Sequence, residues 1–197
     1  MTTTTLSQQL DFITEIDKLK NVARKTRHLN GTTAENDAEH SWHLAMMALI
    51  LQEHANQPVN ILKVLKMVLI HDIVEIDSGD IFLFDTVQNH DNTENELKAA
   101  ERIFGLLPAP QKEEFIALWQ EFEAAETPEA QFAKAIDRYA PVLINSQNDG
   151  GAWREFDISE QLVIEKNQRI QQGSTTLWSI AKKQIQQAFQ RVQLWKH

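Results

Sequence analysis

The chain contains no cysteine. Disulfides, thiolate-bound zinc and cysteine nucleophiles are therefore outside its chemistry, and any metal site must be built from nitrogen and oxygen donors. Positive charge is also scarce: 19 Lys and Arg stand against 28 Asp and Glu, a formal net charge of −9. Non-specific binding to nucleic acid needs a basic face, so polymeric nucleic acid is not an expected partner, while a local cation for a single phosphate remains compatible with this balance. Long apolar runs are missing as well. The richest stretch, 61–76, is broken by Lys63, Lys66, His71, Asp72 and Glu75, which makes it too short and too polar to cross a bilayer. The first residues lack the basic-then-apolar pattern of a secretory signal. The expected location is the cytoplasm, with no membrane partner.

Glycine and proline are few, at six and five copies, and no window keeps the two-residue alternation of a strand. What is present is helical periodicity. A chain of 197 residues is long enough to bury a core, and no linker or repeat divides it. The expectation is one all-α domain over residues 1–197, a bundle of roughly seven to nine helices.

The first helix is expected from about Leu6 to Ala23, with Leu6, Leu10 and Ile13 on one stripe. Asn30-Gly31 signals a turn. Asn36 and Glu39 form a capping box that opens a second helix near Asp37. Asn60 caps a third, in which Ile61, Leu62, Val64, Leu65, Met67, Val68, Leu69 and Ile70 leave almost no polar face, the pattern of a helix buried nearly all round. Thr93 and Glu96 suggest another capping box, for a helix through Phe104. An amphipathic helix follows over 111–125. Thr127-Pro128-Glu129 supplies a cap, a proline at the first helical position and an acid facing the helix dipole. The helix it opens is expected to kink or end near Pro141. Asn148-Asp149-Gly150-Gly151 reads as a loop, and helices from about Ser159 and Thr175 complete the chain.

The chemistry gathers where the most apolar helix ends. His71 and Asp72 arrive together there, with Glu75 on the same face and Asp77 and Asp80 shortly after. An ionised carboxylate in an apolar core costs several kcal/mol or more unless it is paired or metal-bound, and a divalent cation is the simplest compensation. The second helix begins Glu39-His40-Ser41-Trp42-His43, two histidines one turn apart, and spacing alone does not say which of them is a ligand. Asp137 lies in an apolar context on a later helix, where a local ion pair with Lys134 or Arg138 is the competing explanation.

The order His…His-Asp…Asp resembles the HD-domain phosphohydrolase superfamily, and the chain looks like its small 5'-deoxynucleotidase-like branch. The stretches that carry the resemblance are Leu19-Lys20-Asn21-Val22-Ala23-Arg24, Ala38-Glu39-His40-Ser41, the run from His71-Asp72 to Gly79-Asp80, and Ala133-Lys134-Ala135-Ile136-Asp137. The resemblance implies an HD-domain helical bundle and one divalent metal ion (Mn, Co, Ni, Fe, Zn or Mg) held by His40, His71, Asp72 and Asp137. It leaves His43 as a neighbour, places Glu75 and Asp80 beside the metal as catalytic groups, and gives Arg24 the substrate phosphate. A homodimer matches it too. Where some members carry tryptophan after the arginine, this chain has Lys25, which bears on base and sugar preference more than on the reaction.

The expected function is hydrolysis of a (deoxy)nucleoside 5'-monophosphate. Competing readings are cleavage of another nucleotide or small phosphate ester, and a non-catalytic nucleotide-binding module stabilised by metal. Among the other features, Trp42, Trp119, Trp178 and Trp195 fit core or interface positions. Trp153, in a glycine-rich loop, is a candidate pocket residue. Glu94, Glu96 and Glu101 suit a solvated helix face.

Overall fold

A computed structural model describes residues 4–29, 31–85 and 93–194. Helix α1 spans Thr5–Ile16, α2 Asp37–Leu51, α3 Ile61–Ile70, α4 Glu75–Ser78, α5 Thr93–Phe104 and α6 Ala109–Ala124. Helix α7 runs over Pro128–Gln147, α8 over Gly151–Glu155, α9 over Glu160–Asn167, α10 over Ile170–Gly173 and α11 over Thr175–Leu194. Eight of these have eight residues or more, so among the described residues the long helices match the expected bundle. A small antiparallel ribbon pairs β1, Ala23–Arg27, with β2, Ala34–Asn36, in the register Ala23 to Asn36 and Arg27 to Ala34.

The anticipated starts hold where the caps are described. Asn36 Oδ1 accepts from Glu39 N while Glu39 Oε2 accepts from Asn36 N, closing the capping box of α2. Asn60 Oδ1 takes Lys63 N at the start of α3, and Thr127 Oγ1 takes Ala130 N at the start of α7. Asn30, the Thr93 cap and Trp195 lie outside what is described.

Four expectations are corrected. The first helix stops at Ile16, passes through a 3-10 turn over Asp17–Asn21 and enters β1. That ribbon is short and polar, so no apolar alternation announces it. Leu6, Leu10 and Ile13 face solvent, and α1 is held instead by Phe12, whose ring packs against Phe104 and Phe115. Helix α3 is buried on one side only, through Val64, Met67, Val68 and Ile70, while Leu62 and Leu69 are exposed. Helix α7 neither ends nor breaks at Pro141 but continues to Gln147. Proline removes one ladder donor, and here burial of Ala140 and Val142 on either side holds the helix through that loss.

Helix α7 is the axis of the fold, touching α2, α3, α6, α10 and α11. Its Phe132, Ala133 and Ile136 are fully buried with Leu44 of α2, Met67 of α3, Phe122 of α6 and Ile185 of α11. The approach of α10 depends on Gly173, because a Cβ there would stand 2.1 Å from the Gln131 carbonyl oxygen. The ends of α2 and α3 and the middle of α7 thus meet at one point, and the site lies there.

Candidate metal centre

His71 and Asp72 open a 3-10 turn that caps α3, so both side chains enter the protein where the helical ladder tightens. His71 Nδ1 lies 3.0 Å from the Val68 carbonyl oxygen. This contact fixes the ring and turns Nε2 toward the site, 2.9 Å from Asp72 Oδ1 and 3.7 Å from Asp137 Oδ1. His40, in the second turn of α2, is fully buried and brings Nε2 to 3.1 Å from the same Asp137 oxygen. Donor atoms of His40, His71 and Asp72 all fall within 4.8 Å of one another, and Asp137 joins them from α7. His43 is on the outer side of α2, stacked against Trp42.

Charge in this cluster is strongly coupled. Burial works against a charged His71, but Asp72 and Asp137 outweigh it and push the imidazole up to about 10. Burial likewise works against ionised Asp72, and the His71 charge overrides it and brings Asp72 down to about 2. Asp137 is also held well below the usual carboxylate range against its burial, by its hydrogen bond to His40 and by the neighbouring His71. His71 Nε2 and His40 Nδ1 are nevertheless buried without a hydrogen-bond partner among the described residues. Unsatisfied imidazole nitrogen beside two low-lying carboxylates fits a divalent cation, and a mixed N/O set of this kind accepts several of the first-row metals.

A second acidic group adjoins the first. Gly79 adopts φ 74°, a left-handed conformation that ends α4 and turns the chain back at Asp80. Oxygens of Asp37, Glu75 and Asp80 come within 4.8 Å of one another, a set that could also bind a cation. Burial, then repulsion from Asp72 and Asp37, pushes Glu75 up to about 12, so its carboxyl holds a proton at neutral pH. Asp37 is pushed up to about 6, first by burial and then by Asp72. Asp77 does not belong here; it pairs with Arg102 at 2.7 Å.

Arg24, on β1, is the cation between the two groups. Its Nη1 donates to Asp37 Oδ1 at 2.9 Å and to Asp72 Oδ2 at 3.1 Å, and stands 3.7 Å from Asp80. Its Nε is 3.6 Å from Glu35. Sequence reasoning missed Asp37 and Glu35. Asp37 reads as an ordinary acid in a first helical turn, and its complete burial has no local signal.

Arg24, His71, Asp72, Glu75, Asp80 and Asp137 line a cleft of about 250 Å³, while His40 and Asp37 are fully buried beside them. Lys25, Phe82, Trp119, Phe122, Arg138 and Trp153 are among its other walls. Trp153 is set there because Asn145 Oδ1 accepts from Ala152 N at 2.8 Å, tying the start of α8 to α7. Glu96 also lines the cleft, unlike Glu94 and Glu101, which are exposed as expected. Lys134 pairs with Glu123 at 2.9 Å rather than with Asp137, and Lys20 pairs with Asp17 at the surface.

Comparison with known proteins places this arrangement. Residues 16–178 match the family model described as the HD domain. The 5'-deoxynucleotidase of Bos taurus is 30% identical over 140 residues, 70% of this chain and 66% of that protein. The 5'-deoxynucleotidase of Danio rerio is 30% identical over 139 residues, 70% of this chain and 68% of that protein. The chain thus spans about two thirds of the length of these relatives. Among solved structures, a protein of Magnetospirillum magnetotacticum MS-1 described as a predicted metal-dependent phosphohydrolase superposes with a TM-score of 0.90. It is 47% identical, over 94% of this chain and 93% of that one. A conserved hypothetical protein of Pyrococcus furiosus, 23% identical with a TM-score of 0.59 over 90% of this chain and 99% of that one, shares the fold. The chain belongs to the HD domain family.

Proposed function

We propose that the protein is a metal-dependent phosphohydrolase that converts a (deoxy)nucleoside 5'-monophosphate to nucleoside and phosphate. The observation that carries this reading is the meeting of His40, His71, Asp72 and Asp137 at one end of a cleft that also holds Arg24, Glu75 and Asp80. The names of the relatives favour the same reaction class.

His40, His71, Asp72 and Asp137 would hold one divalent ion, Mn, Co, Ni, Fe, Zn or Mg. When bound, such an ion polarises the phosphoryl group and lowers the pKa of water. Arg24, oriented by Asp37, offers its remaining N–H groups to the phosphate oxygens. Glu75 orients the attacking water and relays its proton to the leaving oxygen. Asp80 binds that water or a sugar hydroxyl. Water oxygen bonds to phosphorus, the P–O5' bond breaks, and a proton ends on the leaving 5'-oxygen. The aromatic walls beyond the phosphate end suit a nucleoside. This reading also takes the protein as a cytoplasmic homodimer; no described helix is long and apolar enough to cross a membrane.

The test is phosphate release from a panel of nucleoside monophosphates by metal-stripped protein given each of the six metals. Turnover of at least one nucleotide with at least one metal is expected. No turnover in any combination would overturn the nucleotidase reading and leave cleavage of another phosphate ester or the binding module.

A further inference from the structure

Helix α2 is apolar on two opposite sides. Leu44, Met47 and Ala48 enter the core, while Trp42, Met46, Leu49 and Ile50 are 65%, 39%, 43% and 65% exposed. Their spacing of four, seven and eight residues makes one outward stripe. On α3, Leu62 and Leu69 are 61% and 48% exposed, again opposite the buried side. The two helices pack on each other, and the His40 ring near the start of α2 is 6.0 Å from the His71 ring at the end of α3. They therefore run antiparallel, and their outward stripes are neighbours. Helices that are apolar all round normally have both faces covered.

We propose that the outward face of α2 and α3 is the interface of a symmetric homodimer, each copy covering the other's Trp42, Ile50, Leu62 and Leu69. This takes the homodimer of the proposed reading as given and adds its face; it does not depend on the chemistry of the metal centre. Area favours a second copy. At these exposures the six side chains leave on the order of 600 Å² in solvent, the upper end of what a monomer shows as its largest apolar patch. Two such faces would together bury about 1,200 Å² before any polar rim is added, the threshold of a stable specific interface. Charge favours it too. From His40 to Gln52 the chain has no Asp, Glu, Lys or Arg. The α2 part of a surface that meets its own copy across a twofold axis gains from having no charge to repel, and on α3 the exposed Lys66, between Leu62 and Leu69, is neutralised by its pairing with Glu114. A partner chosen for the acidic surface of this protein would require charge at the contact. Four antiparallel helices, two from each copy, make a bundle layer of a common kind. The layer lies directly behind His40, which projects from the opposite side of α2.

Sedimentation equilibrium over a micromolar dilution series tests this. The full chain is expected near twice its 22.6 kDa mass, and Trp42→Glu with Ile50→Glu is expected to weaken self-association at least 100-fold, to a monomer with unchanged helical circular dichroism. Ile180→Glu, at an exposed apolar position on α11, is expected to leave the dimer intact. A wild-type monomer throughout would overturn the dimer itself. A dimer that persists in the doubly substituted chain, or one that Ile180→Glu dissociates, would overturn the face while leaving the dimer standing.

Discussion

His71 Nε2 stands 2.9 Å from Asp72 Oδ1, yet the nitrogen has no hydrogen-bond partner among the described residues. The two atoms lie side by side and face the same space, as donors to one ion do. Removing a donor should therefore empty the site rather than merely slow the enzyme. Asp72→Ala and His40→Ala are each expected to lower metal affinity by about 100-fold or more, beyond the cost of losing a supporting residue. Metal per chain after dialysis, read by mass spectrometry, checks this; full retention in either variant would remove that residue from the ligand set.

Metal binding should release a proton. In the metal-free protein His71 stays protonated up to about 10 because Asp72 and Asp137 flank it, and a ligand must be neutral. Between pH 6 and 9 the incoming ion displaces that proton, so affinity rises with pH by up to about tenfold per unit for each proton released. Calorimetry in buffers of different ionisation enthalpy is expected to find about one proton released at pH 7. Binding that is independent of pH would mean that His71 is neutral before the metal arrives.

Glu75 carries a cost that function explains. Its carboxyl is pushed up to about 12 by burial and by Asp72 and Asp37. An acid whose pKa is raised by folding binds more protons folded than unfolded, so its contribution to stability falls as pH rises above the ordinary value near 4.5. Glu75→Gln removes that loss. Metal-free protein carrying it is expected to melt higher than wild type at pH 7, by roughly 2–4 °C for each kcal/mol recovered. Turnover is expected to fall about 10²–10⁴-fold while metal still binds. If metal and activity disappear together, Glu75 holds the ion rather than handling the proton.

Arg24 and Asp37 should be energetically coupled. Asp37 is fully buried and its partner donates to it at 2.9 Å. Arg24→Ala strands that carboxylate and is expected to cost about 3–5 kcal/mol in stability. Adding Asp37→Asn is expected to recover part of the loss, a coupling that a double-mutant cycle measures. Asp37→Asn alone is expected to raise KM more than it lowers kcat, since it would loosen the guanidinium proposed to bind phosphate without touching the four proposed metal ligands.

Legibility in the sequence followed the range of the interactions. The starts of α2, α3 and α7 were readable because a cap is decided by residues three apart, as in Asn36 with Glu39. His71-Asp72 was readable because a charged pair ending an apolar helix needs compensation. The partnership of His40 with Asp137 spans 97 positions and was reached through family resemblance, not spacing. Asp37 and the β1–β2 ribbon were not legible, since neither burial of one acid nor pairing of two short polar segments leaves a periodic trace. Periodicity erred on α1 and α3 for an informative reason. It identifies apolar stripes, and burial selects only part of each: Phe12 rather than Leu6, Leu10 and Ile13 on α1, and one side rather than all of α3.

The most direct test of the account titrates Mn into metal-free protein while bound metal and phosphate released from a deoxynucleoside 5'-monophosphate are followed in the same samples. Phosphate release is expected to rise in step with occupancy, to vanish with chelator, and to fall about 10²–10⁴-fold at full occupancy in Glu75→Gln. Release that proceeds undiminished without metal, or fully loaded wild-type protein that releases none from any nucleotide tried, would contradict it.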